Sequence, residues 1–234
     1  MSGFYVLEPE EGMLFGRKWA YADLVDPVNY GEPPRCPVCG GPVGSREWLP
    51  PHRIKLSSAK PERWGDFVWG AGFPLLVSER FCDVYESEGL TGVTRFHSAA
   101  EIVRAGARRA ADLTVPLPVY RLVDIVWNGA NQDDAASGTV TERAVSCPYC
   151  RVGGGEHWQD RIVIEEGSWT GADIFTPRGA PASIMVSERF REVAERHRLK
   201  NLWLVPAGQY GYDVRRPGLW YVNRGDIGEG DADA

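Results

Sequence analysis

The chain has 234 residues, 43% of them hydrophobic, which is enough for one large domain or two small ones without disulfide support. The net charge is −6, and because the last ten residues hold four acids and no base, the rest of the chain is nearly neutral. A nearly neutral body argues against a general nucleic-acid binder, which usually has a basic face. No apolar run approaches the ~20 residues of a membrane helix, and the acidic N-terminal stretch does not resemble a signal peptide. We therefore expect a cytoplasmic protein without a membrane partner.

The first half of the chain predicts short strands around a loop and a helix. Phe4 to Leu7 is strand-like, and residues 31–44 form a Gly- and Pro-rich loop that contains Cys36 and Cys39. Further on, Ser78 is a suitable N-cap for a helix, and the apolar residues that follow it have helical spacing. The inward face of this helix is expected to consist of Phe81, Val84 and Tyr85, with Leu90 beyond it, and the helix is expected to stop at Gly89.

Two further elements are expected before the middle of the chain. Residues 98–101, Ser-Ala-Ala-Glu, have the form of a capping box, which predicts an Ala- and Arg-rich helix to about Asp112. Its arginines (Arg104, Arg108 and Arg109) are expected to lie on a solvated face. Residues 120–127 predict a strong strand.

The second half is expected to repeat the first. Residues 128–139 resemble a linker, after which strands are predicted over residues 161–165, 202–205 and 219–222. Ser187 caps a second predicted helix, with Phe190, Val193 and Ala194 inward. We therefore divide the chain into a first half at 1–127, a linker at 128–139, a second half at 140–224 and an acidic disordered tail at 225–234.

The main evidence for a repeat is a five-residue identity. The segment Val-Ser-Glu-Arg-Phe occurs at residues 77–81 and again at residues 186–190, and a Cys-x-x-Cys pair lies 41 and 39 positions upstream of the two copies. Two unrelated signals in the same order at nearly the same spacing indicate a duplication. The predicted fold is therefore α+β, with two pseudo-repeated halves, each a Cys-x-x-Cys knuckle with short antiparallel strands and a helix.

The four paired cysteines predict a metal site. In the cytoplasm, two Cys-x-x-Cys pairs are more typical of metal ligands than of disulfides, and zinc takes four thiolates in a tetrahedron. Each half supplies two ligands, so the simplest expectation is one structural zinc shared by Cys36, Cys39, Cys147 and Cys150. The fifth cysteine, Cys82, lies on the first predicted helix and is expected to be a small buried hydrophobic residue.

Two other interpretations of the paired cysteines stay open. Each half could hold its own metal ion, completed by His52 in the first half and His157 in the second. The pairs are also 108 positions apart, which exceeds the usual zinc-ribbon interval, and the thiols could be vestigial. A redox Cys-x-x-Cys normally opens a helix, whereas these pairs lie in Pro- and Gly-rich loops.

The sequence contains no motif that predicts catalysis. It has four histidines and neither a nucleophile elbow, a zinc-protease motif nor a phosphate-binding glycine loop. A zinc ion with four thiolate ligands has no open position for a substrate. We therefore expect a non-enzymatic protein, and for the recurring Glu-Arg pairs at 79–80 and 188–189 a structural role in capping and cross-helix pairing.

The cysteine pairs and the repeated segment also resemble a known family. The residues Cys36-Pro37-Val38-Cys39-Gly40, Cys147-Pro148-Tyr149-Cys150 and 77–81 are similar to those of the myxobacterial double-CXXCG-motif family, which includes the Sit-type immunity proteins of swarming-inhibition toxin systems. The resemblance extends over roughly residues 3–224. The chain departs from the family motif at Arg151, where the family has glycine.

The resemblance implies a cytoplasmic immunity protein, or antitoxin, that binds the C-terminal domain of a cognate toxin delivered by kin cells. Such a protein neutralises its target by tight binding and needs no catalysis. The alternative from a different class is a zinc-ribbon-like nucleic-acid-binding or regulatory factor. That alternative requires a basic patch beside the knuckles, for which the candidates are Arg35, Arg46, Arg53 and Arg151.

Overall fold

The computed structural model describes residues 3–10, 18–70, 75–152, 157–180, 183–213 and 220–222. These residues form a sheet-dominated fold with two α-helices, α1 (Glu79–Ser87) and α2 (Glu188–Arg196). Short 3-10 turns occur at Pro61–Arg63, Ala110–Asp112 and Ala207–Gln209. The strands in chain order are β1 Phe4–Glu8, β2 Ala22–Leu24, β3 Asn29–Tyr30, β4 Trp48–Leu49, β5 Arg53–Leu56, β6 Phe67–Val68, β7 Leu75–Ser78, β8 Val93–Ala99, β9 Glu101–Ala105, β10 Arg108–Arg109, β11 Tyr120–Asn131, β12 Val140–Thr141, β13 His157–Gln159, β14 Ile174–Arg178, β15 Met185–Ser187, β16 Trp203–Pro206, β17 Tyr210–Asp213 and β18 Trp220–Val222.

One large sheet runs through both halves of the chain. Its strand order is β16-β1-β15-β14-β11-β7-β6, with β8 also paired to β11. Side chains alternate between its two faces, as the period of two in a strand requires. Leu75 and Val77 pack in the cluster that contains the helices, whereas Leu76 between them packs against Ile54 of β5 on the other face. The main sheet therefore lies between the helix layer and the smaller sheets.

Two of the three expected helices are present, each with the expected serine cap. The Ser78 hydroxyl accepts from the Phe81 backbone N–H at 3.1 Å, and the Ser187 hydroxyl accepts from the Phe190 N–H at the same distance. The predicted inward residues of both helices are buried, and the two phenylalanine rings face each other with centroids 6.3 Å apart. Gly89 follows α1 with φ +61°, the left-handed conformation that ends many helices.

An arginine of α1 ties the first half to the second. Arg80 donates to Asp66 Oδ2 at 2.6 Å and to the carbonyl oxygen of His197, the residue that caps the C-terminal end of α2. The buried Asp66 also accepts from the Ser78 hydroxyl at 2.8 Å and from the Lys200 backbone N–H at 2.8 Å. The cation thus lies at the negative end of the α2 dipole.

In the second half, an arginine of α2 makes the equivalent contacts with a buried aspartate and with the C-terminal end of α1. Arg189 donates to Asp173 Oδ2 at 2.7 Å and to the carbonyl oxygen of Glu88, which caps the C-terminal end of α1. Asp173 accepts from the Ser187 hydroxyl at 2.8 Å and from the Thr91 backbone N–H at 3.0 Å. The expected cross-helix role of the two Glu-Arg pairs is confirmed for their arginines.

Strand β1 pairs with β15 next to α2, and strand β11 pairs in the equivalent way with β7 next to α1. Strand β1 precedes the first cysteine pair, yet it joins β15 next to α2, with Phe4 opposite Ser187 and Tyr5 opposite Val186. Strand β11 precedes the second pair, yet its start joins β7 next to α1 in the same register, with residues 120 and 121 opposite 78 and 77. The two halves therefore exchange a strand.

The helix contacts of the exchanged strands also match. The Tyr5 hydroxyl donates to Glu188 at the start of α2 at 2.7 Å, and Arg121 donates to Glu79 at the start of α1 at 3.0 Å. Each half also has a four-stranded sheet of the same order, β10-β9-β5-β2 in the first and β18-β17-β13-β12 in the second. They differ in the central pair, which is parallel in the first sheet and antiparallel in the second.

Two secondary-structure predictions were wrong. Residues 98–112 do not form a helix: they belong to β8, β9, β10 and a 3-10 turn, with Gly106 at φ +57° between β9 and β10. Pairing of β9 with β5 and burial of Ile102 outweigh the helix propensity of Ala and Arg. The three arginines are exposed, as expected. Residues 161–165 form only an isolated bridge, between Ile164 and Gln132.

The segment predicted as a linker, residues 128–139, contains part of a strand and buried side chains. Strand β11 continues to Asn131, four residues into the predicted linker, and its end runs parallel to β14. Gln132 and Ser137, also in the predicted linker, are fully buried. The predicted tail at 225–234 lies outside the described residues. Among the residues that the structure describes, no helix has the length and apolar character needed to cross a membrane.

Candidate metal centre

The two cysteine pairs lie on loops with the same backbone conformation. The Gly40 N–H donates to the Cys36 carbonyl at 2.9 Å, and the Arg151 N–H donates to the Cys147 carbonyl at 3.0 Å. The residue after each pair is left-handed, with φ +71° at Gly40 and +56° at Arg151. The turn after the second pair is therefore kept even though an arginine holds the position that favours glycine.

The four paired cysteines form one cluster of thiols. Their sulfur atoms all lie within 4.8 Å of one another, and the Sγ atoms of Cys39 and Cys150 are 3.8 Å apart across the two halves. A zinc ion with Zn–S distances of about 2.3 Å in a tetrahedron requires sulfurs about 3.8 Å apart. The cysteines are free thiols rather than disulfides. The donor set thus fits a tetrahedral metal ion with thiolate ligands.

Backbone N–H groups point at the sulfurs and favour their thiolate form. The N–H groups of Cys150 and Tyr149 lower the pKa of the Cys147 thiol to about 7. In the first pair, the corresponding N–H groups of Cys39 and Val38 lower the pKa of Cys36 against its burial. Burial raises the pKa of Cys150 to about 12 in the absence of a cation. A bound cation offsets that burial, because a coordinated thiol is deprotonated.

The cluster has a partly apolar environment. Val43 is buried among the cysteines, and Trp127 and Tyr149 pack against them. The guanidinium of Arg178 on β14 lies 4.4 Å from the centre of the Tyr149 ring. These contacts connect the cysteine loops to the main sheet.

The side chain of Arg151, the residue that departs from the family motif, holds the second loop. Arg151 donates to the Gln132 carbonyl oxygen and pairs with Glu165 at 3.4 Å. These bonds compensate for the left-handed backbone, which costs a non-glycine residue about 1–2 kcal/mol. Glycine would be unstrained here, but it could not make these two contacts.

The comparisons with known proteins name no relative. No protein-family model matches the chain, and no curated protein matches it either.

His52, which could complete a separate metal site in the first half, does not support that alternative. His52 is buried away from the cysteines, with Nε2 2.9 Å from the Trp48 carbonyl oxygen and its ring packed on His97 at 5.2 Å. The side chain of His157 lies outside the described residues. Within the described part of the chain, the one group of potential metal ligands consists of the four cysteines.

The fifth cysteine behaves as a buried hydrophobic residue. Cys82 is 7% exposed and packs in the cluster between the helices and the main sheet. Burial raises the pKa of its thiol to about 11, so the unreactive neutral form predominates at neutral pH.

The four arginines of the possible basic patch are occupied by acceptors. Arg35 pairs with Glu32 at 2.9 Å, Arg53 pairs with Glu101 at 3.1 Å, and Arg151 pairs with Glu165. Arg46 donates to the carbonyl oxygens of residues 30 and 31. Three of the four positive charges are therefore matched by a carboxylate, which weakens the case for a phosphate-binding surface.

Proposed function

We propose that the chain is an immunity protein, which binds and neutralises the toxic domain of a cognate protein toxin without catalysis and carries one structural zinc ion. The observation that carries the proposal is the convergence of the four cysteines into a single cluster. These cysteines and the two Val-Ser-Glu-Arg-Phe segments carry the resemblance to the double-CXXCG-motif family. Both features lie where the two halves of the chain meet.

The chemistry of the donor set favours zinc in a structural role. Thiolate ligands in a tetrahedron suit zinc or an iron centre. When bound, zinc would supply charge compensation for the thiolates and a rigid link between the two loops. Four sulfurs complete its coordination and leave no position for a substrate, so binding of a protein fits the site better than catalysis.

The matched contacts support a duplicated origin of the two halves. The helix caps, the reciprocal arginines and the registers of β1 and β11 all recur between them. Such a scaffold positions loops from both halves around a single metal, and loops held by a rigid scaffold are where binding residues concentrate. The zinc-ribbon-like nucleic-acid factor remains the weaker candidate, because the arginines beside the cysteines are already paired.

The immunity function can be tested by co-expression. We expect that the C-terminal domain of a toxin encoded beside this gene arrests a susceptible host, and that co-expression of this chain restores growth. The two proteins should also elute as one complex in size-exclusion chromatography at high salt. A chain that fails to restore growth and to bind that domain refutes the immunity proposal. If it instead retains nucleic acid that leaves as salt rises, the alternative is supported.

The metal is tested separately by elemental analysis of the purified chain. We expect one zinc per chain, and its loss in the double variant Cys36→Ser/Cys39→Ser. The matched control is Cys82→Ser, which changes a cysteine outside the cluster and should keep the metal. Iron in place of zinc refutes the metal assignment, and equal metal content in both variants refutes the site.

A further inference from the structure

The four sulfurs of the candidate metal centre are unequally protected from solvent. Cys36, Cys147 and Cys150 are at most 3% exposed, whereas Cys39 is exposed. Its neighbour Val38 is 65% exposed, so the first loop projects from the surface at this point. A reagent in solution can therefore reach the Cys39 side of the cluster.

Backbone contacts add to the difference between the two cysteines of the first loop. The sulfur of Cys36 accepts from the Val38 N–H at 3.4 Å and also from the Cys39 backbone. In contrast, the Cys39 sulfur has one backbone donor, the Gly41 N–H at 3.4 Å. Hydrogen bonds to a thiolate reduce its charge density and its nucleophilicity. The sulfur of Cys39 is therefore both more exposed to solvent and less shielded by backbone hydrogen bonds than the sulfur of Cys36.

We propose that Cys39 is the site at which this centre reacts with hydroperoxides, and that Cys150 completes the reaction by forming a disulfide with Cys39. The inference rests on the proposed zinc centre. Cys150 is the partner because its sulfur lies 3.8 Å from that of Cys39. It also belongs to the other half of the chain, so the resulting bond joins the halves.

The reaction consumes one hydroperoxide and two thiolates. The Cys39 thiolate attacks one oxygen of the peroxide, the O–O bond breaks, and the other oxygen leaves and takes up a proton, giving water from hydrogen peroxide. The Cys150 thiolate then attacks the sulfur of the Cys39 sulfenic acid, and the displaced hydroxide takes up a second proton. Each sulfur gives one electron, and the two electrons reduce the peroxide.

Oxidation removes two of the four ligands but does not separate the halves. A disulfide requires a sulfur–sulfur distance of about 2.0 Å, so the two sulfur atoms, 3.8 Å apart, must move towards each other when the bond forms. The remaining thiolates, Cys36 and Cys147, leave zinc two ligands short, so the ion is released. A covalent bond between the loops then replaces the metal, and the centre acts as an oxidant-sensitive switch that keeps the chain joined.

The experiment treats zinc-loaded full-length protein with hydrogen peroxide while a chromogenic chelator reports released zinc. Trypsin cleaves after Arg35 and Arg143, so the two pairs fall in separate peptides, residues 36–46 and 144–151. Mass spectrometry should find these peptides linked, and fragmentation should place the bond between Cys39 and Cys150. Substoichiometric N-ethylmaleimide should label Cys39 first. The control Cys82→Ala, outside the cluster, should respond as the unmodified chain does.

The outcomes separate this inference from the metal assignment. Protein that contains no zinc before oxidation refutes the centre itself. Zinc-loaded protein that forms a bond within one pair, or that alkylates first at another cysteine, overturns the inference and leaves the centre intact. Zinc release in step with the bond between the two peptides supports it.

Discussion

The buried aspartates Asp66 and Asp173 offer the sharpest test of the two-fold arrangement. Asp173 is 3% exposed and receives bonds from the Ser187 hydroxyl, the Arg189 guanidinium and the Thr91 backbone N–H. Replacing it with alanine leaves the buried serine without its acceptor and frees an arginine at the C-terminal end of α1. We expect Asp173→Ala to destabilise the protein.

The expected magnitude follows from the exposure of each partner. Breaking a fully buried ion pair costs about 3–5 kcal/mol, but the Arg189 side chain is half-exposed and regains water. The loss of a hydrogen-bond partner for a buried hydroxyl costs about 1–3 kcal/mol. We therefore expect a decrease of about 3 kcal/mol in the free energy of unfolding.

Asp66 provides a matched comparison. It makes the equivalent bonds to Ser78, Arg80 and the Lys200 N–H, so Asp66→Ala should cost about the same, about 3 kcal/mol. Because β1 and β11 are exchanged, we expect both variants to unfold in one transition rather than half by half. The control is Asp83→Ala on the exposed side of α1, which should change stability by less than about 0.5 kcal/mol.

Urea unfolding of the purified protein, followed by tryptophan fluorescence and by far-UV circular dichroism, measures these effects. At a slope of about 3 kcal/mol per molar urea, a loss of 3 kcal/mol lowers the midpoint by about 1 M. A shift in one variant with none in the other would contradict the equivalence of the halves. Two separate transitions, each sensitive to one variant, would contradict the strand exchange.

Three further predictions concern individual residues. Gly40→Ala should lower the free energy of unfolding in urea by about 1 kcal/mol, because its φ of +71° is left-handed although an added Cβ would meet no neighbour. The control Gly208→Ala should be nearly neutral, because an added Cβ is also unobstructed there and the backbone is not left-handed. After treatment with a chelator, the exposed Cys39 should react with iodoacetamide at pH 8, and Cys82 should react only on unfolding, because it is buried and burial raises its pKa to about 11. Equal reaction rates for Cys39 and Cys82 in the folded protein would be inconsistent with this burial. Burial lowers the pKa of His52, so the folded state resists protonation, and the free energy of unfolding should fall as pH drops below the ordinary pKa of about 6.5. The variant His52→Gln should show a smaller fall. Identical urea midpoints for both proteins at every pH would refute burial of His52 as the cause.

Most of the features that the sequence predicted correctly depend on neighbours in the chain. The N-cap serines and the inward phenylalanines lie within one or two turns of helix, so the pattern around Ser78 and Ser187 contains the information that specifies α1 and α2. The clustering of the four cysteines was also predictable, since each pair supplies two ligands and a tetrahedral site needs four. These predictions required spacing alone.

The wrong predictions concern segments whose conformation depends on distant partners. Residues 98–112 contain good helix formers, but β9 gains more from pairing with β5, almost 50 residues earlier. The exchange of β1 and β11 was not predictable, since both strands are apolar and either could pair with β7 or with β15. The left-handed conformation of Arg151 depends on acceptors at Gln132 and Glu165, which the local sequence does not reveal.

Three kinds of contact join the two halves, and they differ in the energy that they contribute. The main sheet and the core around Phe81 and Phe190 bury many apolar side chains, at about 1.5–3 kcal/mol each, and therefore dominate. The reciprocal arginines order the ends of the helices. The cysteine cluster lies instead in loops that contain little regular structure, where a bound metal ion would replace the packing that the loops lack. Since the exchanged strands already hold the halves together, the centre's main effect is to fix the two loops against each other.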